Sequence, residues 1–262
     1  MLFKNILKSI HFPKVTTPSL TGSEGFNGLT ECQAVLSDRS RNPLLRTGLV
    51  RGGSVLLLIL ALTSCSSDSE DYDPYYDWQS RNAAWYEQIA DSARTAIAQA
   101  RSEFGSEWEQ HCDWRMIKSL MISPTVQKGN TTDSVCVHIM KRGTGDFSPT
   151  FSDSIRISFR GWLMPTRNEF GVMEELTFTQ TYYGEYSPAT AAPQLAAVGA
   201  FTEGFSTVLQ YMVEGDDWMV YIPQQLFYGS TDQDAIPAYS TARFRIQLLA
   251  VYPSGTTVPE WK

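Results

Sequence analysis

The sequence predicts an α+β fold, a curved antiparallel sheet wrapped around one short helix, preceded by a helical arm. Three observations carry this. Apolar residues alternate with period two in four segments after residue 133, which is the pattern of half-buried antiparallel strands with one wet face. One short helical period interrupts those strands, and a longer one lies upstream of them. The chain has 262 residues, 42% hydrophobic and 19% charged, enough to bury a core and close to globular composition. A net charge of −7 lacks the basic footprint of a nucleic-acid binder, so no nucleic-acid partner is expected.

Residues 1–64 read as a leader and lipoprotein signal peptide. They carry seven Lys/Arg and three Asp/Glu, net +4, whereas the remainder carries 14 and 25, net −11. The apolar run Ser54–Leu62 follows Arg46 and Arg51; it is too short for a spanning helix, which needs ~20 apolar residues. It ends in Leu62-Thr63-Ser64-Cys65, which resembles the bacterial lipobox cleaved before a lipidated cysteine. Residues 1–45, rich in Pro, Ser, Thr and Gly, are too long for the basic region of a signal peptide, and a start near Leu49 accounts for them. Cys65 is thus the expected lipidation site and membrane anchor, with a mature chain from residue 65. More than one acyl chain gives stable anchoring at ~0.8 kcal/mol per buried CH₂. Residues 65–76 form an acidic tether whose Ser66–Asp73 stretch is similar to the acidic tag of surface-exported lipoproteins of the Bacteroidetes. The expected location is the bacterial cell envelope, as an outer-membrane lipoprotein facing the periplasm or the surface.

Residues 77–122 read as the helical arm. Trp85, Ile89, Ala93, Ala96, Ala100 and Phe104 recur at spacings of three and four, one face of an amphipathic helix. Asp77 is placed to cap it and Gly105 to stop it. The aromatic residues Trp78, Trp85 and Tyr86 favour a helix lying on its own domain over a dimerisation arm or spacer. A second short helix is expected near Glu107 to Leu120.

Residues 133–262 read as the sheet domain. Val135, Val137 and Ile139 alternate with Cys136 and His138; Ile155, Ile157 and Phe159 with Arg156, Ser158 and Arg160. Trp218, Val220 and Ile222, and then Phe244, Ile246 and Leu248, repeat the pattern. Between these pairs Phe205, Val208, Leu209 and Met212 fall at helical spacing, with Thr202 as cap and Gly215 as stop. Cys112 and Cys136 are the cysteines left beside Cys32 and the anchor; an oxidising compartment permits a disulfide between them, and spacing alone does not show that they meet. His11, His111 and His138 are scattered, with no C-x-x-C or H-E-x-x-H, so neither a metal nor another cofactor is expected. No G-x-S-x-G elbow, phosphate-binding loop or dinucleotide fingerprint is present.

Seven Trp, 12 Tyr and 13 Phe need a core or a surface that grips something apolar. Their order becomes specific along the sheet domain. Lys141-Arg142-Gly143-Thr144-Gly145 precedes Asp153 to Gly161; Glu203-Gly204-Phe205 leads to Leu209, Met212 and Gly215; Ile222-Pro223-Gln224-Gln225-Leu226-Phe227-Tyr228-Gly229 comes next; Ala235-Ile236-Pro237 to Phe244 closes the series. These five blocks, over about residues 133–252, resemble the FKBP-type peptidyl-prolyl cis-trans isomerases.

The resemblance implies an aromatic pocket between sheet and helix, acting on proline-containing polypeptides without a cofactor. Phe205 would form its floor, with Phe159, Phe178, Ile236 and Phe244 as walls and Phe201 beside them. The Tyr228 hydroxyl and the Thr202 backbone N–H would hold carbonyls flanking the proline. Two departures stand out. The family's Phe-Asp-Ser is Phe178-Thr179-Gln180, and the tyrosine that supports its aspartate is Phe159, so both ends of that hydrogen bond are missing. The expected function is a membrane-anchored isomerase of weakened activity acting on exported proteins, the alternative being a catalytically silent proline-peptide binding or chaperone module. The longer Met164–Leu176 and Gln180–Gly199 stretches are expected to border the groove.

Overall fold

The computed structural model describes residues 72–123 and 129–260. The leader, the apolar run, Cys65 and the tether up to residue 71 lie outside the described residues. Among the described residues, no helix is long and apolar enough to cross a membrane.

Helix α1, Trp78–Phe104, ends where Gly105 takes a positive φ of 56° and its N–H bonds Arg101 O. Asp77 holds the N-cap position in the left-handed region, and its side chain makes no capping bond. The face that α1 buries runs through Trp78, Asn82, Tyr86, Ala90, Ala93, Ile97 and Ala100. It is turned from the predicted stripe: Trp85 and Ile89 lie at its rim and Phe104 is exposed. The alanines let the helix approach the sheet closely, and the polar tip of Tyr86 reaches a backbone acceptor there, the Ser134 carbonyl. Trp85 then packs edge-on to Tyr221 at 6.1 Å.

The predicted second helix shrinks to one turn, α2, Trp108–His111. Strand β1, Trp114–Lys118, takes its place and pairs antiparallel with β2, Ser134–Lys141. Its alternation of Trp114 and Met116 against Arg115 and buried Ile117 spans five residues, too few to distinguish from helix by period alone. Part of the expected arm therefore belongs to the sheet.

The remaining strands are β3 (Ser154–Trp162), β4 (Thr166–Arg167), β5 (Met173–Glu174), β6 (Thr177–Gln180), β7 (Gln194–Ala197), β8 (Asp217–Ile222) and β9 (Ala242–Tyr252), with helix α3 (Glu203–Leu209) between β7 and β8. The main sheet runs β1-β2-β8-β9-β3-β6, with β7 also pairing β3. Every pairing is antiparallel, and β4 and β5 form a separate hairpin inside the first long stretch. The β3–β9 register shifts between Arg156 and Ile157; such a bulge bends a strand and raises its twist.

The concave face holds Val135, Val137, Ile139, Ile155, Ile157, Val220, Ile246 and Leu248 against Val208, Leu209 and Met212. Full burial of side chains of this size contributes about 1.5–3 kcal/mol each. The alternation predicts a wet opposite face, and that face is mostly covered. Cys136 is buried under Tyr86, Ala90 and Ala93 of α1. Ser158 and Gln247 are 0% and 3% exposed, beside Tyr186 and Tyr182 of the Gln180–Gly199 stretch. Polar residues at alternate positions read as solvent-facing by period, whereas here they lie beneath a second layer. Cys112 and Cys136 are both free thiols, each buried.

Candidate functional site

The aromatic residues gather where α3 meets the twisted ends of β3, β6 and β9. Gly161 on β3 sits opposite Phe244 on β9 and Thr179 on β6. A Cβ at Gly161 would lie 2.6 Å from Phe244 Cε1 and 2.9 Å from Phe178 Cζ. Glycine here is what lets two rings lie across the strand. Phe178 and Phe244 then meet edge to face at 5.4 Å. Phe244 meets Phe205 of α3 at 4.9 Å with planes at 90°, and Phe159 of β3 meets Phe205 at 5.9 Å.

Tyr228 stands in the loop after β8, packed on Phe227 at 4.2 Å. Gly229 turns the chain behind it with φ 59°, its N–H bonding Gln224 O at 2.8 Å and its carbonyl accepting Tyr239 N–H at 2.7 Å. Burial, and then the nearby Asp234 carboxylate, raise the Tyr228 phenol above its ordinary range, so it stays a protonated donor at neutral pH. No group among the described residues bonds its hydroxyl. Ile236 is buried in an adjoining cluster with Trp78, Leu163 and Met164, against which Tyr228 packs.

The structure thus brings Phe159, Phe178, Phe201, Phe205 and Phe244 into one run of ring contacts, with Tyr228 and Ile236 at its side. Thr202 caps α3 only by position; its side chain makes no cap bond, and its Oγ1 is buried without a partner. Phe205, the expected floor, is itself largely covered. Phe201 lies flat on Phe205, centroids 4.6 Å apart and planes 16° from parallel, and Phe205 is only 2% exposed. Among the described residues, no group of three or more His, Cys, Asp or Glu is placed to hold a metal. The cluster offers apolar ring surface with the Tyr228 hydroxyl, a protonated donor at neutral pH, beside it.

Residues 146–249 match the family model described as FKBP-type peptidyl-prolyl cis-trans isomerase. The sheet domain resembles that family over those residues. The macrophage infectivity potentiator of Trypanosoma cruzi is 28% identical over 115 residues, covering 44% of this chain and 51% of that protein; the chain spans about half the length of that curated relative. Among solved structures, FkpA from Escherichia coli shares 22% identity with a TM-score of 0.38, over 66% of this chain and 65% of that one. A peptidyl-prolyl cis-trans isomerase from Pseudomonas syringae pv. tomato shares 19% with a TM-score of 0.35, over 63% of this chain and 95% of that one.

Sequence reasoning missed several residues that build this cluster. Phe227 touches Phe178 at 5.9 Å and Phe244 at 6.0 Å; its place beside Tyr228 was the available signal. Trp78 and Asn82 of α1 hold the loop that carries Ile236. Trp78 Nε1 donates to Ser240 Oγ at 2.9 Å, and Asn82 Oδ1 accepts Thr241 N–H at 2.8 Å. These contacts span about 160 residues of sequence, and no local pattern announces them.

Proposed function

We propose that the chain is an FKBP-type peptidyl-prolyl cis-trans isomerase acting on exported polypeptides, with activity below that of a family member retaining the Tyr–Asp pair. The observation that carries this is the ring cluster around Phe205 with the unpartnered Tyr228 hydroxyl at its edge, inside the segment that matches the family. Rotation about an Xaa-Pro bond must break amide resonance, against a barrier of ~18–20 kcal/mol. The twisted amide has lost its resonance dipole, so a dry aromatic surface disfavours it less than the planar amide. Rate enhancement is then differential binding of the twisted form, with Tyr228 and the Thr202 N–H holding the neighbouring carbonyls. The reduced activity follows from Thr179 and Phe159, which stand where the resemblance places an aspartate and its supporting tyrosine.

A protease-coupled assay on an Xaa-Pro peptide tests this reading. Acceleration over buffer is expected; a rate equal to buffer with the peptide still bound establishes the second reading, a silent proline-peptide binding module. That reading draws on the covered floor, since Phe201 covers the ring on which a proline would sit. Envelope location and a lipid anchor at Cys65 belong to the same proposal and rest on the apolar run and lipobox-like residues. Cys65→Ala should release the protein from membranes, and a variant that still sediments with them overturns the anchor.

A further inference from the structure

A second concave surface lies away from the aromatic cluster, around edge strand β1 and the C-terminal half of α1. Its cavity of about 620 Å³ is lined by Arg101, Trp108, Arg115, Arg142 and Lys118, with Ile97, Met116 and Trp218 between the cations. Two guanidiniums stack on one indole: Arg101 at 4.5 Å and Arg115 at 4.9 Å from the Trp108 ring. Arg94 is neutralised by Glu87 and Asp91, and Arg142 by Asp113 at 3.0 Å. Neither Arg101 nor Arg115 has a carboxylate within ion-pair distance among the described residues. Arg115 gives three of its five N–H donors to the carbonyls of Cys112, Trp114 and Glu109, which leaves two for a ligand, and burial together with nearby Arg142 lowers its pKa, although Glu109 and Asp113 work against that. At the inner end, Trp218 is 6% exposed and its Nε1 is buried without an acceptor.

We propose that this groove binds an acidic segment of another polypeptide, its carboxylates on Arg101 and Arg115 and its apolar side chains on Ile97, Met116 and Trp218. Charge complementarity selects the occupant. In a chain of net −7, this groove gathers five Lys/Arg, two of them ion-paired, against a single lining acid, Glu109. Its size falls in the range that encloses an organic ligand, about 300–1,000 Å³, and the carbon surface between the cations suits side chains better than an inorganic ion. Arginine stacked on tryptophan keeps its N–H edge available for a carboxylate.

The test uses a fluorescein-labelled, proline-free peptide of alternating Glu and Leu, with a Lys–Leu counterpart and inorganic phosphate as comparisons, read by anisotropy. A proline-free probe separates the outcome from the isomerase reading. The acidic peptide should bind, weaken with added salt, and lose about tenfold in affinity with Arg101→Gln, a change at an exposed helix position whose fold is checked by circular dichroism. Equal binding of both peptides, or affinity unchanged by Arg101→Gln, overturns the proposal. Displacement by phosphate at matched concentration reduces the site to an ion site and also overturns it. Self-association that excludes the peptide makes the occupant a second copy, with the same consequence.

Discussion

The ring of Phe201 lies parallel on the ring of Phe205, 4.6 Å away, where the FKBP resemblance would seat the proline of a bound peptide. On that seating, Phe201 is the ring that a bound proline displaces. Stacked aromatic pairs contribute about 0.5–1.5 kcal/mol beyond area burial, and that energy opposes substrate entry. Phe201→Ala should raise kcat/KM on an Xaa-Pro peptide several-fold while lowering stability by about 3 kcal/mol, the low end for loss of a packed ring, measured by the coupled assay and by urea unfolding. Unchanged or reduced turnover in a folded variant removes Phe201 as a gate.

Tyr228→Phe separates binding from folding. Among the described residues the hydroxyl has no partner, so its loss should leave the unfolding free energy within about 0.5 kcal/mol. A hydrogen bond to a bound carbonyl is worth about 0.5–1.5 kcal/mol, so kcat/KM should fall several-fold. Because the phenol is raised above 10.0 by burial and then by Asp234, the wild-type rate should stay flat through neutral pH and fall only on the alkaline side. Activity equal to wild type in Tyr228→Phe rules the hydroxyl out of the reaction.

Gly161→Ala places a methyl group against Phe244 and Phe178. Two rings must shift, and overpacking of this kind costs about 1–3 kcal/mol. Chemical denaturation should show that loss, and turnover should drop with it because both rings line the site. A fully stable Gly161→Ala protein shows that the rings move freely and that the cluster is loosely packed.

Alkaline pH should destabilise the packing of α1 on the sheet. Cys136 is raised by burial from 9.0 to about 11; its thiol donates to the Tyr86 hydroxyl at 3.4 Å. Tyr86, donating to Ser134 O, is also strongly raised, first by burial and then by Cys136. A raised pKa means that the folded state holds its proton longer than the unfolded chain, so this stability is intact below about pH 9 and is lost as pH climbs toward 11 and beyond. Melting temperature against pH, in reducing buffer, should fall over that window. Tyr86→Phe should cost about 0.5–1.5 kcal/mol at neutral pH, since it removes the hydrogen bond to the part-buried Ser134 carbonyl, and Cys136→Ala should flatten the alkaline limb. A limb of equal slope in Cys136→Ala assigns the loss to other groups.

Much of the fold is legible locally. The alternation at Val135–Ile139, Ile155–Phe159, Trp218–Ile222 and Phe244–Leu248 corresponds to β2, β3, β8 and β9, because a strand with one face on the core repeats every two residues. Gly161, Phe205, Tyr228 and Gly229 stand out as members of ordered blocks. Strand β1 is not legible, since five residues carry too little period. The buried face of α1 differs from the predicted stripe by about one residue: Ala90 and Tyr86 lie at its buried centre, with Ile89 and Trp85 at the rim. Hydrophobicity alone ranks the larger side chains as buried, whereas close helix-on-sheet approach selects small ones and a hydroxyl with a partner.

The sequence by itself determined the α+β class, the strand grammar and the set of aromatic residues that gather at α3, because period, turn chemistry and motif order are local properties. Only the tertiary structure decided that Phe201 stacks on Phe205, that Trp78 and Asn82 brace the Ile236 loop, and that Arg101 and Arg115 share one indole. Each of these depends on contacts between side chains brought together by packing, and a linear pattern does not specify which surface a ring or a guanidinium will find.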